Sequence, residues 1–299
     1  MPIPESERYY WLSIESSERA WRYMSFPAFA KLLRTEKLLF RKVSDFPDPY
    51  EGSVPHALPE IRQRDAEALS ISPNRYEEVY STINEHARKC CYANCWHLNN
   101  NESEAMWKKY GDKGIAVIAN IDDIIPSFED QDKFLLARPV RYFNFFKSYD
   151  ELSGDERARL EGIAGEIFDE YAALNFLKRK SFRFENEFRI LHPKLSYFPA
   201  EEYDDRDYNI VIDGDEDMYP AFTHDSGQPV CVDFTEVPDD PVKEIKTDLP
   251  RLVDEIRIAP GAGDWFIETV CDAVDKLADD QITSDFVQRS VTDIHDPQR

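Results

Sequence analysis

Two carboxylates, Glu185 and Glu187, stand two residues apart in the alternating segment Phe182 to Leu191. Phe182, Phe184, Phe188 and Ile190 fall on one side of the period and Arg183, Glu185, Glu187 and Arg189 on the other, which predicts a strand with one buried face. The charged side has two readings. It is a solvated sheet face whose cross-strand ion pairs contribute about 0.2–1 kcal/mol each, or it is the wall of a cleft, with carboxylates on a rigid strand kept ionised by flanking arginines. On the cleft reading Glu187 faces the cavity and Phe188 is buried, because successive strand residues point to opposite faces.

Cys95, Trp96 and His97, followed by Met106, Trp107 and Tyr110, concentrate large amphipathic side chains around a strand-to-helix connection. Such a cluster is either core or a stacking surface for a base or nicotinamide ring. Cys90, Cys91, Cys95 and His97 invite a zinc reading, but no second ligand pair follows at finger spacing, so buried thiols and no metal are expected. Pro260 to Gly263 lies between a strand and a helix, where backbone N–H groups can hold an anion. The third glycine of a dinucleotide fingerprint is missing, so this is read as a turn, and no P-loop, nucleophile elbow or zinc-protease motif occurs.

The elements that must position these residues follow from periodicity. Trp21 to Met24 reads as a strand, and Ser25 and Pro27 open a helix with Phe29, Leu32 and Leu33 on one face. Leu38 to Val43, Tyr92 to Leu98, Ile115 to Ile121, Val140 to Phe146, Tyr208 to Ile212, Val230 to Phe234, Val253 to Ile258 and Phe286 to Val291 read as further strands. The proline-rich stretch Phe46 to Pro59 is irregular, and helices are expected over Ile61 to Lys89 with a break at Pro73, over Ser103 to Tyr110, from Ser153 toward Lys178, and over Asp264 to Leu277. Glu201 to Asp207 and Val237 to Pro241 read as surface loops. Strands and helices do not alternate regularly, so the expected class is α+β: a mixed, mostly antiparallel sheet with flanking helices, in one domain over 1–299 with a helical excursion at about 56–90.

The chain has 299 residues, 42% of them hydrophobic, enough for a sizeable core rather than a disordered coil. No stretch suits a membrane span or signal peptide, and five cysteines scattered through a chain this large suggest reduced thiols, so a cytoplasmic protein is expected. A net charge of −23 disfavours duplex nucleic acid as a partner. The same charge is what a high-salt, halophile cytoplasm selects.

Four segments together resemble a prokaryotic family known as domain of unknown function 2971. They are Trp21 to Tyr23; Phe46 to Glu51; Cys95 and Trp96 with Met106, Trp107, Tyr110 and Gly114; and Lys180 to Phe182 with Glu185, Glu187 and Arg189. Pro47 stands where the family usually has asparagine. A further likeness is to ADP-ribosyltransferases, which put a basic residue on an early strand, an aromatic on a middle one and a glutamate on a late one. That likeness implies NAD as substrate, with Arg22 on phosphate, Tyr23 and Trp96 on the base or nicotinamide, Arg189 in the nucleotide site, Glu185 orienting acceptor or water, and Glu187 stabilising the oxocarbenium-like transition state. It also implies that Arg22 converges on the cleft with the two glutamates, and that Glu187→Gln leaves folding intact. The rival is a noncatalytic sensing or interaction protein in antiviral defence, its protein partner unspecified.

Overall fold

Ile115 to Ala119 carries no group that needs water, and this run forms the fully buried centre of the fold. The computed structural model describes residues 18–70, 72–110, 114–128, 135–164, 172–194, 196–199, 221–223, 229–278 and 280–291. In chain order they form β1 (Arg19–Met24), α1 (Phe26–Thr35), β2 (Lys37–Lys42), α2 (Leu58–Ala68), α3 (Pro73–Cys90), β3 (Cys91–Leu98), α4 (Glu104–Tyr110), β4 (Ile115–Asn120), α5 (Ile121–Ile124), β5 (Leu136–Pro139), β6 (Arg141–Phe143), α6 (Gly154–Ala164), β7 (Leu177–Arg179), β8 (Glu187–Pro193), β9 (Tyr197–Pro199), β10 (Ala221–Thr223), β11 (Pro229–Val232), β12 (Val242–Lys246), α7 (Leu249–Leu252), β13 (Glu255–Ile258), α8 (Asp264–Leu277) and β14 (Val287–Gln288).

The main sheet runs β12-β2-β3-β1-β4-β13-β14, with β8 on the other edge of β3 and β5 beyond it. Its pairs are antiparallel except β13 with β14, so the architecture is α+β with a mixed, mostly antiparallel sheet and flanking helices. One face buries Tyr92, Trp96, Leu98, Val117, Phe188 and Ile190 against Phe29 and Leu33 of α1 and Val270 and Val274 of α8. The opposite face is covered in two places. Val79, Ile83 and Ala87 of α3 pack on Cys91, Ala93 and Leu191, while Trp107 of α4 packs with Trp21 and Ile118. Among the described residues no helix is long and apolar enough to cross a membrane.

β3 has a forked edge. β8 pairs with it from Cys91 to His97, but its other edge is shared, with β2 opposite Tyr92 and Ala93 and β1 opposite His97 and Leu98. Side chains fill the gap between the two. Arg22 Nη1 donates to the Cys95 carbonyl at 2.8 Å and Nη2 to that of Leu39 at 3.3 Å. Asn94 Nδ2 also donates to the Leu39 carbonyl, at 2.8 Å, and Trp96 Nε1 donates to Asn94 Oδ1 at 2.7 Å. Main-chain groups that a continuous ladder would pair are thereby satisfied.

Several expectations change. The predicted strand Phe182 to Leu191 begins only at Glu187: Lys180–Glu185 is a tight 3-10 turn, and Asn186 is left-handed at φ 35° and ψ 58°, a conformation asparagine tolerates better than most residues. The turn leaves Arg183 and Phe184 exposed instead of placing them on the two faces of a strand. The helix from Ser153 cannot reach Lys178, which lies in β7. Its start is as expected, with Ser153 and Glu156 in a reciprocal capping box. Val140 to Phe146 shortens to β6, paired in parallel with β7, and the last strand shortens to β14. β12 and β5 were not expected. The expected strand Tyr208 to Ile212 and loop Glu201 to Asp207 lie outside the described residues.

Arg22→Ala removes two of the fork's three side-chain bonds to main-chain carbonyls and leaves the Cys95 carbonyl without its side-chain partner. A loss of about 1–3 kcal/mol is expected in urea unfolding, and unchanged stability would show the fork to be held by other means.

Candidate functional site

Strand alternation and register send Tyr23 and Trp21 of β1, Cys95 and His97 of β3, and Glu187 and Arg189 of β8 to the same sheet face. Between the α3 and Trp107 coverings of that face lies a cavity of about 550 Å³, within the range of small-molecule sites. Lys109 and Tyr110 of α4, the loop Phe46 to Glu51 and the turn carrying Phe182 form its remaining walls. The loop is fixed at Gly52, whose φ is +67° and where an added Cβ would come within 2.5 Å of Asn175 Oδ1. Asp48 takes a bidentate ion pair from Arg179, at 2.9 and 3.0 Å, which ties the same loop to β7.

The floor of the cavity is a knot of buried charge. Lys178 Nζ lies 3.0 Å from Glu51 Oε1, 2.5 Å from Glu185 Oε2 and 2.9 Å from Glu187 Oε2. The remaining oxygens are also engaged. Arg189 donates from Nε to Glu187 Oε1 at 2.6 Å and from Nη2 to Glu51 Oε2 at 2.9 Å, while Glu185 Oε1 accepts from Lys109 Nζ and, at 2.9 Å, from the Tyr110 hydroxyl. Arg189 Nη1 donates to the Asn175 carbonyl at 2.6 Å.

Burial alone would push the Glu187 carboxyl up, but the charges of Arg189 and Lys178 outweigh it and hold the group at about 2. Burial likewise pulls Lys178 down and loses to the surrounding glutamates, so its ammonium is held well above the usual lysine range. A permanently protonated Lys178 has no lone pair for imine chemistry. Burial, reinforced by the Glu187 charge, pushes the Cys95 thiol far up, so Cys95 is no thiolate nucleophile at neutral pH. Burial lowers His97, whose Nδ1 donates to the Glu185 carbonyl at 2.5 Å, leaving a neutral ring with Nε2 as acceptor. What the site offers is ionised carboxylates held among paired cations, beside neutral aromatic surface.

Of the residues expected in a site, Glu185, Glu187, Tyr23, Arg22 and Trp96 border the cavity, and Phe188 is fully buried behind Glu187. Three assignments need correction. Arg22 and Trp96 belong by register to the helix-covered face opposite Glu187, so Arg22 meets the cavity only at the fork, its guanidinium already committed to two carbonyls. Trp96 borders the cavity but is only 2% exposed, with most of its ring in the main core. Arg189 is fully buried behind Glu187 and is not a cavity wall. Glu51, Lys178, Arg41 and Lys109 went unrecognised. Glu51 lies in one of the four segments quoted for the family likeness, whereas nothing local marks Lys178.

No family model, curated protein or solved structure matches this chain.

Because Glu187 is buried and ion-paired with both Lys178 and Arg189, Glu187→Gln is expected to weaken the fold and not to leave it intact, since the variant leaves buried cations short of a partner. It should cost about 3–5 kcal/mol at pH 7. The folded carboxyl is held below the ordinary glutamate value of about 4.3, so its stabilisation is complete above that pH and is lost as pH falls toward 2. Urea unfolding from pH 7 to 3 should therefore show the gap between wild type and variant narrowing below about pH 4, and a constant gap would contradict it.

Proposed function

We propose that the cavity takes a small nucleotide of the NAD class, and that this acidic, cytoplasmic protein is ADP-ribosyltransferase-like and cleaves the nicotinamide glycosidic bond of its substrate. One observation carries the reading: Glu185 and Glu187 border a single cavity with the rings of Tyr23 and His97. The likeness to the domain of unknown function 2971 family belongs to the same proposal, and all four segments that carry it contribute residues to the cavity wall.

The ionised Glu187 carboxylate stabilises the positive charge that develops on the ribose carbon as the bond to the nicotinamide nitrogen lengthens. The bonding pair leaves with nicotinamide, an acceptor or water oxygen oriented by Glu185 adds to the carbon, and its proton passes to solvent. Tyr23 and His97 flank the nicotinamide. Arg41 of the cavity wall takes over the phosphate role assigned to Arg22, beside an Arg179 held in its ion pair with Asp48.

A second reading is favoured by a specific observation: all six oxygens of Glu51, Glu185 and Glu187 are already paired within the protein. A wall so satisfied suits a noncatalytic ligand-sensing or interaction protein in antiviral defence.

Nicotinamide release from NAD decides between them. Wild type should release it and Glu187→Gln should do so about 100-fold more slowly or worse, at a temperature where the variant's circular dichroism shows it folded. Equal rates would exclude Glu187, and a wild type that binds NAD without release to water or any added acceptor would establish the second reading.

A further inference from the structure

Lys109 brings a positive charge to the mouth of the cavity and finds a receptor there. Its ammonium lies 4.7 Å from the ring centre of Phe182, 5.0 Å from that of Tyr110 and 5.1 Å from that of Phe184. It is also ion-paired with Glu185. Rings presenting negative faces around one point, closed by a carboxylate, form a cage for a quaternary or aromatic cation. Phe184 and Tyr110 remain 48% and 46% exposed, so folding does not hide this apolar surface.

The charge balance points the same way. Inside the knot three glutamates face only Lys178 and Arg189, leaving one negative charge over, which Lys109 answers. The three cations are not equivalent: the Lys178 and Arg189 side chains are 8% and 0% exposed, whereas that of Lys109 is 33% exposed. Lys109 alone of the three has a way out to water. Glu185 would keep Lys178 and Tyr110 as partners when it left.

We propose that the mouth of the cavity is a recognition site for an organic cation, a pyridinium or quaternary ammonium, and that Lys109 is a tethered stand-in which such a ligand displaces. The inference rests on the reading of this cavity as a ligand site and names the chemistry of the end that enters at Glu185. A tethered competitor weakens ligand binding until the ligand's own cation takes its place, so removing the competitor should increase affinity. Sequence alone gives no hint of this, because Lys109 reads as one of two ordinary lysines ending an amphipathic helix.

The test is calorimetric titration with the 1-methylnicotinamide cation and with neutral nicotinamide as its uncharged counterpart. Lys109→Met should bind the cation about tenfold more tightly than wild type, on the scale of a desolvated cation–π site, with neutral nicotinamide unchanged. Lys109→Arg, which keeps the charge, should show no gain, and adding Glu185→Gln to Lys109→Met should abolish the preference for the cation. Lys109→Gln repeats the comparison should the methionine variant melt early. Cation affinity no higher in Lys109→Met and Lys109→Gln than in wild type would overturn the proposal, as would an equal gain for neutral nicotinamide. Cleavage of NAD by wild type alongside either result would leave the catalytic reading standing while this one fails; cation binding as expected without NAD turnover would do the reverse.

Discussion

The Lys178 ammonium is ion-paired with three carboxylates from different parts of the chain, Glu51 from the loop after β2, Glu185 from the turn before β8 and Glu187 from β8 itself, and donates hydrogen bonds to the last two. A buried ion left without a partner costs several kcal/mol, so loop, turn and strand must arrive together or not at all. Arg189 binds Glu51 and Glu187 from behind and makes the arrangement a closed set rather than a string of pairs. The same contacts that register three segments against β7 also fix the floor of the cavity. Stability and site are here one set of bonds.

The fork in the sheet is the second constraint. Because β1 and β2 share one edge of β3, the polar groups between them need side-chain partners, and Arg22 and Asn94 supply these. An arginine that sequence order would assign to a phosphate thus serves the backbone. On the cavity face Arg179 of β7 is paired with Asp48 and Lys109 with Glu185, which leaves Arg41 of β2 as the cation of the wall for a ligand's phosphate.

What was legible in the sequence is what local periodicity controls. β1, α1, β2, β3, α4, β4 and α8 lie close to their expected positions because each carries a local signal with clear ends, helical spacing in α1 and α8 and an unbroken apolar run in β4. The pairing of Glu185 with Glu187 on one wall was legible too, although by a partly different geometry: Asn186 breaks the strand and the turn before it still delivers Glu185 to the cavity. Depth and side were not legible. Nothing local tells that Arg189 lies behind Glu187, or that Trp96 faces α1 and α8, since both depend on which partner strand meets β3 and in what register. Lys178 was hidden because β7 is three residues long and its charge partners lie up to 127 residues away, at Glu51.

If the buried knot is a single interacting unit, its members cannot contribute independently. Removing Lys178 leaves an excess negative charge and removing Glu51 an excess positive one, while removing both restores balance. The most direct measurement is a double-mutant cycle in urea unfolding on Lys178→Met, Glu51→Gln and the pair. The account predicts that the double variant loses less stability than the two single variants together, by more than about 1 kcal/mol, whereas losses that add to within about 0.5 kcal/mol would contradict it.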